Sequence, residues 1–427
     1  MERLEMRLSY ERVLRALLPL MLSAPVGCFR AEPPLEPHEA LAKAAQRIDR
    51  ILAEDRASGE ERTEPAQTPD NAGEVTFWFY AHPLISPLML GEPQKRASFS
   101  AAHPEVTLKP QFIGDWNIAI QKYVVSLAAG DLPDIGMVKR SWLARLISSG
   151  RIVPLDAILP PEFLADFRDP IRETLSMSGH LYALPADGFC DVLYFNRNIV
   201  RDPPPSTWDE LRARATEIRD SRGETQKDMY PIGHMPFLES LWSAGGEVCS
   251  NTSSGLTSPA ALEAIDFIVS LRQAGLAHPA GMLAPEAGMD LFVRERVAMT
   301  VASSEFLGQV KKTAFPVGIA PVPGKAKPVS MLSDNAIVVF ARYAEAKKSA
   351  IAHVADFITG PDAQGEGSAP TRESVAKSLR IEAGLDQSFR VGRNTPLVLS
   401  WAAIEFELAR YLDLAYRWEP AMTTNRN

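Results

Sequence analysis

The side chains able to do covalent chemistry are scattered along this sequence rather than grouped. Its three cysteines, Cys28, Cys190 and Cys249, form no CxxC pair, so zinc and redox motifs are absent. Cys190 and Cys249 could bridge in an oxidising compartment, or both could stay as buried thiols. The patterns GxSxG, HExxH and GxGxxG do not occur. His38-Glu39 lacks the second histidine of a metalloprotease helix. Gly318 and Gly324-Lys325 approach a phosphate loop, but the spacing is one residue too long and Ala326 stands where Ser or Thr would hold magnesium. Asp and Glu are plentiful, yet nothing selects two of them as a glycosidase pair. The expectation is a protein that binds without reacting and uses no cofactor and no metal.

Composition narrows what it binds. The formal net charge is -8 and no long basic run occurs, which disfavours nucleic acid, whose phosphates need clustered Lys and Arg. Hydrophobic residues make up 46% and charged residues 23%, the balance of a globular chain. A length of 427 residues allows two domains, each with its own core. No repeat of solenoid period is present.

The first residues read as an address. Arg3, Arg7, Arg12 and Arg15, mixed with Glu2, Glu5 and Glu11, precede an apolar run from Ala16 to Val26. That run is shorter than the roughly 20 residues a spanning helix needs, and suits the apolar region of a secretory signal. Gly27-Cys28 resembles the cleavage point of bacterial lipoproteins, which would make Cys28 the lipidated first residue. Pro25 departs from that pattern, and Met6 is an alternative start. A short buried N-terminal helix is the competing reading. Residues 29–73 read as a tether, with a helix over Glu39–Ala57 that places Leu41, Ala45, Ile48 and Leu52 on one face.

From Glu74 onward, strands and helices alternate. Val75 to Tyr80 is a nearly continuous apolar run, as in a strand covered on both faces. Val106 to Phe112 is a second strand, placed near an edge by Pro110. Asp115 to Ala129 is a helix stopped by Gly130. Asp134 to Val138 is a third strand, and Ser141 to Ser149 a further helix. Val192 to Asn196, Val297 to Val301 and Ala336 to Phe340 are later strands. Thr207 and Glu210 form a capping box. Ser258-Pro259 opens a helix that Gly275 ends, and another runs from about Ala344 to Thr359. The order predicts α/β domains with a largely parallel sheet. Trp78 and Trp208 are expected in cores, and Asp134 is expected to stabilise its own loop.

Read in order, these pieces resemble the extracellular solute-binding proteins of ABC importers, in the family that includes maltose-binding protein. The segments that carry the resemblance begin with His103-Pro104-Glu105-Val106, Ala128-Ala129-Gly130-Asp131-Leu132-Pro133-Asp134-Ile135 and Gly150-Arg151-Ile152-Val153-Pro154-Leu155-Asp156. They continue with Gly179-His180-Leu181-Tyr182-Ala183-Leu184-Pro185, Leu193-Tyr194-Phe195-Asn196-Arg197 and Pro205-Ser206-Thr207-Trp208-Asp209-Glu210-Leu211. The resemblance implies a periplasmic-binding-protein type II fold: two α/β lobes joined by crossing segments and closing by hinge motion. Lobe 1 would hold residues 74–186 and 323–363, and lobe 2 residues 187–322 and 364–427, after a signal over 1–28.

The resemblance also implies where a ligand sits. Loops at the carboxyl ends of the strands would supply Tyr80 and His82, then Arg140 and Trp142, then Asp187 and Phe189 from the crossing segment. The far lobe would supply Phe237, Glu305, Phe306 and Trp401. Glu305 and Phe306 stand where the maltose-type pattern has an aromatic platform. Aromatic faces with carboxylates suit a mono- or oligosaccharide, whereas Lys139-Arg140 would equally suit a carboxylate or phosphate. Polyols, sugar phosphates and polyamines are the alternative ligands, and coupling to a sensor is the alternative role. The expected partners are that small solute and the permease subunits of an importer. The expected form is an exported monomer, in the periplasm or anchored by lipid on the outer face of the membrane.

Overall fold

A computed structural model describes residues 32–57, 68–221, 228–363, 365 and 367–419. The proposed signal and Cys28 lie outside the described residues. The chain opens with α1 (Pro37–Ala57). The aromatic run forms β1 (Glu74–Phe79), with Val75, Phe77, Trp78 and Phe79 all buried. After α2 (Pro93–Ala102) comes β2 (Thr107–Phe112), which lies at the edge of its sheet. Pro110 is tolerated there because an edge strand needs no ladder N–H at that point. Asp115 caps α3 (Trp116–Ala129) by accepting a 3.1 Å hydrogen bond from the Ile118 amide, and Gly130 ends it at φ 72°. β3 (Ile135–Lys139) follows. A tight turn over Arg140–Trp142 leads into α4 (Leu143–Ser148), so the helix expected from Ser141 begins two residues later. β4 (Ala183–Pro185) closes this half.

The second half starts at β5 (Asp191–Asn196) and α5 (Trp208–Ser221). The capping box at the start of α5 is present in both directions: the Glu210 amide donates to Thr207 Oγ1, and Glu210 Oε2 accepts from the Thr207 amide. Then come β6 (Tyr230–Ile232), α6 (Phe237–Ser243), α7 (Pro259–Gln273), α8 (Pro285–Val293), β7 (Val297–Ser303) and β8 (Val317–Ala320). The chain returns through β9 (Ser330–Met331) and β10 (Asn335–Val339) to α9 (Lys348–Thr359). The helix expected from Ala344 begins four residues later, because residues 344–347 form a turn that follows the tight turn over Ala341–Tyr343. Last come α10 (Ala383–Arg390), β11 (Gly392–Arg393) and α11 (Trp401–Tyr416).

Two main sheets result, in an α/β fold of two lobes. The first has the order β2-β1-β3-β10-β4, with β1, β2 and β3 parallel and β10 antiparallel to β3 and β4. β10 reverses because it enters from the other lobe at the carboxyl edge and must run back down. The second has the order β8-β5-β7-β6 and is mostly antiparallel. Along β5, Val192 and Tyr194 join one core while Leu193 and Phe195 join the other, the period-two signature of a strand covered on both faces. Asp134 is buried and fixes the start of the first sheet, accepting from the Thr76 amide and hydroxyl and from Lys347 Nζ at 2.8–2.9 Å.

Two expectations need correction or decision. Residues 37–57 are not part of a tether. Ala40, Leu41, Ala44, Ala45, Ile48 and Leu52 are buried in the second core, against α11 and α7. Polar contacts tie the same stretch down: Glu32 pairs with Arg410 at 2.7 Å, His38 with Asp266 at 2.8 Å, and Asp55 accepts from the Ser400 amide at 3.0 Å. An apolar face at helical spacing was buried against a partner from the far end of the chain. Cys190 and Cys249 are both free buried thiols, so the bridge does not form.

Candidate functional site

The lobes meet where three chain segments cross side by side. The Gly188 amide donates to Ser368 Oγ and its carbonyl accepts from the Ala369 amide at 3.0 Å. The Ser333 amide donates to the Phe189 carbonyl at 2.9 Å, and the Cys190 amide to Ser304 Oγ at 3.1 Å. A methyl group on Gly188 would lie 1.7 Å from the Ala369 carbonyl oxygen, so only glycine permits this approach.

Asp187, 4% exposed, sits at the crossing. Its Oδ2 accepts from His82 Nε2 at 2.8 Å, Asn335 Nδ2 at 3.0 Å and Ser333 Oγ at 3.1 Å, and Oδ1 accepts from the Phe189 amide at 2.9 Å. Burial pushes the Asp187 carboxyl up, but the hydrogen bonds from His82, Phe189 and Asn335 together hold it below the usual carboxylate value. His82 Nδ1 accepts from the amides of Leu84 and Ile85, both at 3.2 Å, so the ring proton is on Nε2 and points at Asp187. Tyr80 extends the network, its hydroxyl donating to Asn335 Oδ1 at 2.7 Å.

Beside this network the carboxyl edge of the first sheet carries an aromatic ladder. The Tyr80 and Trp116 rings meet edge to face at 5.2 Å, and Trp116 and Trp142 at 5.8 Å. Trp116 is only partly buried, whereas Tyr80 and Trp142 lie beneath the surface. Lys139 Nζ lies 6.0 Å from the Tyr80 ring centre and pairs with Asp334 at 2.9 Å. Glu405, on α11, is exposed to water yet its carboxyl is pushed up to about 7. Crowding by the surrounding protein is the main cause, followed by repulsion from Asp334, with Lys139 pulling the other way.

Two sheets joined by a crossing, with polar and aromatic groups at that crossing, have counterparts among known proteins. Residues 89–365 match the family of bacterial extracellular solute-binding proteins. The chain belongs to that family. A binding protein of Brucella abortus (strain 2308) is 27% identical over 246 residues, covering 53% of this chain and 58% of that protein. The chain thus aligns with little more than half the length of the curated relatives it matches first. The sugar-binding protein MalE of Xanthomonas citri superposes with a TM-score of 0.66 at 19% identity, over 80% of this chain and 92% of that one. UgpB of Mycobacterium tuberculosis, solved with glycerophosphocholine, superposes with a TM-score of 0.65 at 23% identity, over 81% and 94%. The resemblance to the maltose-type solute-binding proteins and the two-lobed fold are both borne out. These relatives are binding proteins, not enzymes.

In this solute-binding protein, five of the expected site residues come together: Tyr80, His82, Asp187 and Phe189 at the crossing, with Trp142 reached through Trp116. Asp187 and His82 spend their polar atoms on each other and on backbone amides. Arg140 is buried, and its guanidinium donates to the Thr174 carbonyl at 2.7 Å and to Thr395 Oγ1 at 3.2 Å. Burial pulls it down to about 10. Arg140 also borders a groove of about 300 Å³ between Thr174 and Asn394. Phe237 is buried in the second core, and so is Trp401, the first residue of α11. Glu305 is exposed beside partly buried Phe306, in the turn after β7.

The solute-binding protein also carries groups that the sequence reading passed over. Asp334 and Asn335 belong to a polar run, Ser333-Asp334-Asn335, placed just before an apolar strand. Glu405 lies one turn beyond Trp401. On the second lobe buried Glu239 and half-buried Asp191 form a carboxyl pair. Burial first, then repulsion from Asp191, raises Glu239 well above its ordinary value. Burial likewise pushes Asp191 up, to about 6. Among the described residues, Glu239 Oε1, Trp242 Nε1 and Ser330 Oγ are buried without a hydrogen-bond partner.

Proposed function

We propose that this protein is the exported substrate-binding component of an ABC importer and holds a mono- or oligosaccharide between its lobes. The observation that carries the reading is the partly open Trp116 ring, flanked by Tyr80 and Trp142 and set beside Lys139, Asp334 and Glu405. A sugar ring offers an apolar face to an indole and hydroxyls to charged neighbours. The buried, unpartnered Trp242 Nε1 and Ser330 Oγ favour a ligand rich in hydroxyls. The family's maltose-type members favour the same class. Closure of the lobes would present a combined face to the permease. Residues 1–28 would direct export, and Cys28 would carry the lipid.

The second reading is a glycerol phosphate or its diester, favoured by the similarity to UgpB. The charges argue against it. Asp334 already pairs with the one ammonium of Lys139, and Glu405 adds partial negative charge near neutral pH, so the cluster offers a phosphate no net positive charge. A melting-temperature screen of the full chain decides between them. A true ligand at about 100 times its Kd adds roughly 2.7 kcal/mol of stability. The expected result is a rise with a maltodextrin or a monosaccharide that Trp116→Ala abolishes. A rise with sn-glycerol 3-phosphate and none with any sugar would replace the first reading by the second. Labelled palmitate incorporated by wild type and not by Cys28→Ala would support the anchor.

A further inference from the structure

At the end of the first sheet away from the cleft, three chemistry-bearing side chains converge that the binding site does not use. His103 ends α2, its amide donating to the Phe99 carbonyl at 2.9 Å and its carbonyl accepting from the Val106 amide at 3.0 Å. The backbone is therefore held on both sides of the ring. Glu105 lies in the turn into β2. His353 projects from α9 and its ring lies 4.1 Å from that of His103. Glu105 Oε1 is 3.6 Å from His103 Nδ1 and 3.7 Å from His353 Nε2. One donor atom from each of the three residues falls within 4.8 Å of the others.

These separations are too long for hydrogen bonds and close to those around a small cation. Bonds of about 2.1 Å in tetrahedral geometry place ligand atoms about 3.4 Å apart. The two Glu105 separations need only a few tenths of an ångström, and rotation of the imidazoles has to close the ring-nitrogen separation from at most 4.8 Å. Two imidazoles with one carboxylate are borderline donors of the kind zinc takes, whereas calcium and magnesium ask for oxygen alone. We propose that His103, Glu105 and His353 form a zinc site with its remaining coordination open to water. The ion fastens the end of α2 and the turn into β2 to α9. Glu105 lies at the amino end of β2, and the ligand-facing loops lie beyond the carboxyl ends of β1 and β3. A six-residue strand separates the two by about 20 Å, so zinc and solute would occupy distinct sites.

The test uses tag-free, full-length protein stripped with a chelator and titrated with zinc chloride by calorimetry, with melting temperature as the second readout. One zinc per chain with a raised melting temperature is expected for wild type. His353→Ala and His103→Ala should each abolish both signals, and Glu105→Gln should weaken binding by an order of magnitude or more. His38→Ala and His180→Ala, which alter the exposed His–carboxylate pairs with Asp266 and Asp156, should bind zinc as wild type does. Cobalt(II) in place of zinc should give the visible absorption of a four-coordinate site. Absence of binding, or binding that survives His353→Ala (a half-buried helix position, with the variant's fold checked by circular dichroism), would overturn the proposal. So would equal affinity for magnesium or calcium.

Discussion

The Asp187 carboxylate shows how single residues set this molecule's response to pH. Its folded value lies below that of an unfolded aspartate, about 3.9. The contribution is therefore complete above that value and is lost as pH falls through the lower folded value. His82→Ala removes one donor and leaves a buried acceptor short, which should cost about 1–3 kcal/mol in chemical denaturation at pH 7. Glu405 has the opposite sign. Its carboxyl is raised to about 7, so the folded state holds a proton that the unfolded chain has already released. Stability from this group is present below about pH 4.3, the ordinary glutamate value, and is lost as pH rises through 7. Glu405→Gln should raise the ligand-free melting temperature at pH 8 and leave it nearly unchanged at pH 4. Equal effects at both pH values would show that the Glu405 carboxyl is not raised. Residues such as Glu405 are hard to find from sequence because an exposed helical glutamate is common. What marks this one is the company brought to it by Asp334 and Lys139, far away in the chain.

Elements divide by whether their causes are local. Asp115, Gly130, Thr207, Glu210, Ser258 and Gly275 could be read in advance because a cap acts on amides within one turn. Thr207→Ala should cost about 1 kcal/mol, with a range of 0.5–2. The helix α1 was legible as a helix but not as core. Its apolar face was visible, yet its partners α11 and α7 are contributed by distant sequence. Ile48→Ala should lower stability by about 2–5 kcal/mol, as for a buried large-to-small change. A tether would show no measurable change. Thermal unfolding of that variant beside wild type checks the assignment.

At the scale of the whole molecule, the proposed closure depends on the crossing. Gly188→Ala forces a methyl group onto the Ala369 carbonyl and should separate the segments there. Small-angle scattering should show the wild type becoming more compact with saturating ligand and the Gly188→Ala variant failing to do so. The sequence by itself determined most strands and helices and their caps, because hydrophobic period and turn chemistry act over a few residues; the line between the lobes and the loops facing the ligand were implied only by the resemblance. The resemblance, not any local run, pointed to Asp187-Gly188-Phe189 as a crossing, and the contacts of Gly188 with Ser368 and Ala369 place it there. Only the tertiary structure decided that Asp187 is saturated by His82 and Asn335, that Trp401 begins a buried helix face, that the two cysteines stay apart, and that α1 closes the second core. Each of these turns on distance between groups remote in the chain, and distance is fixed by packing of the two lobes and not by any local run of residues.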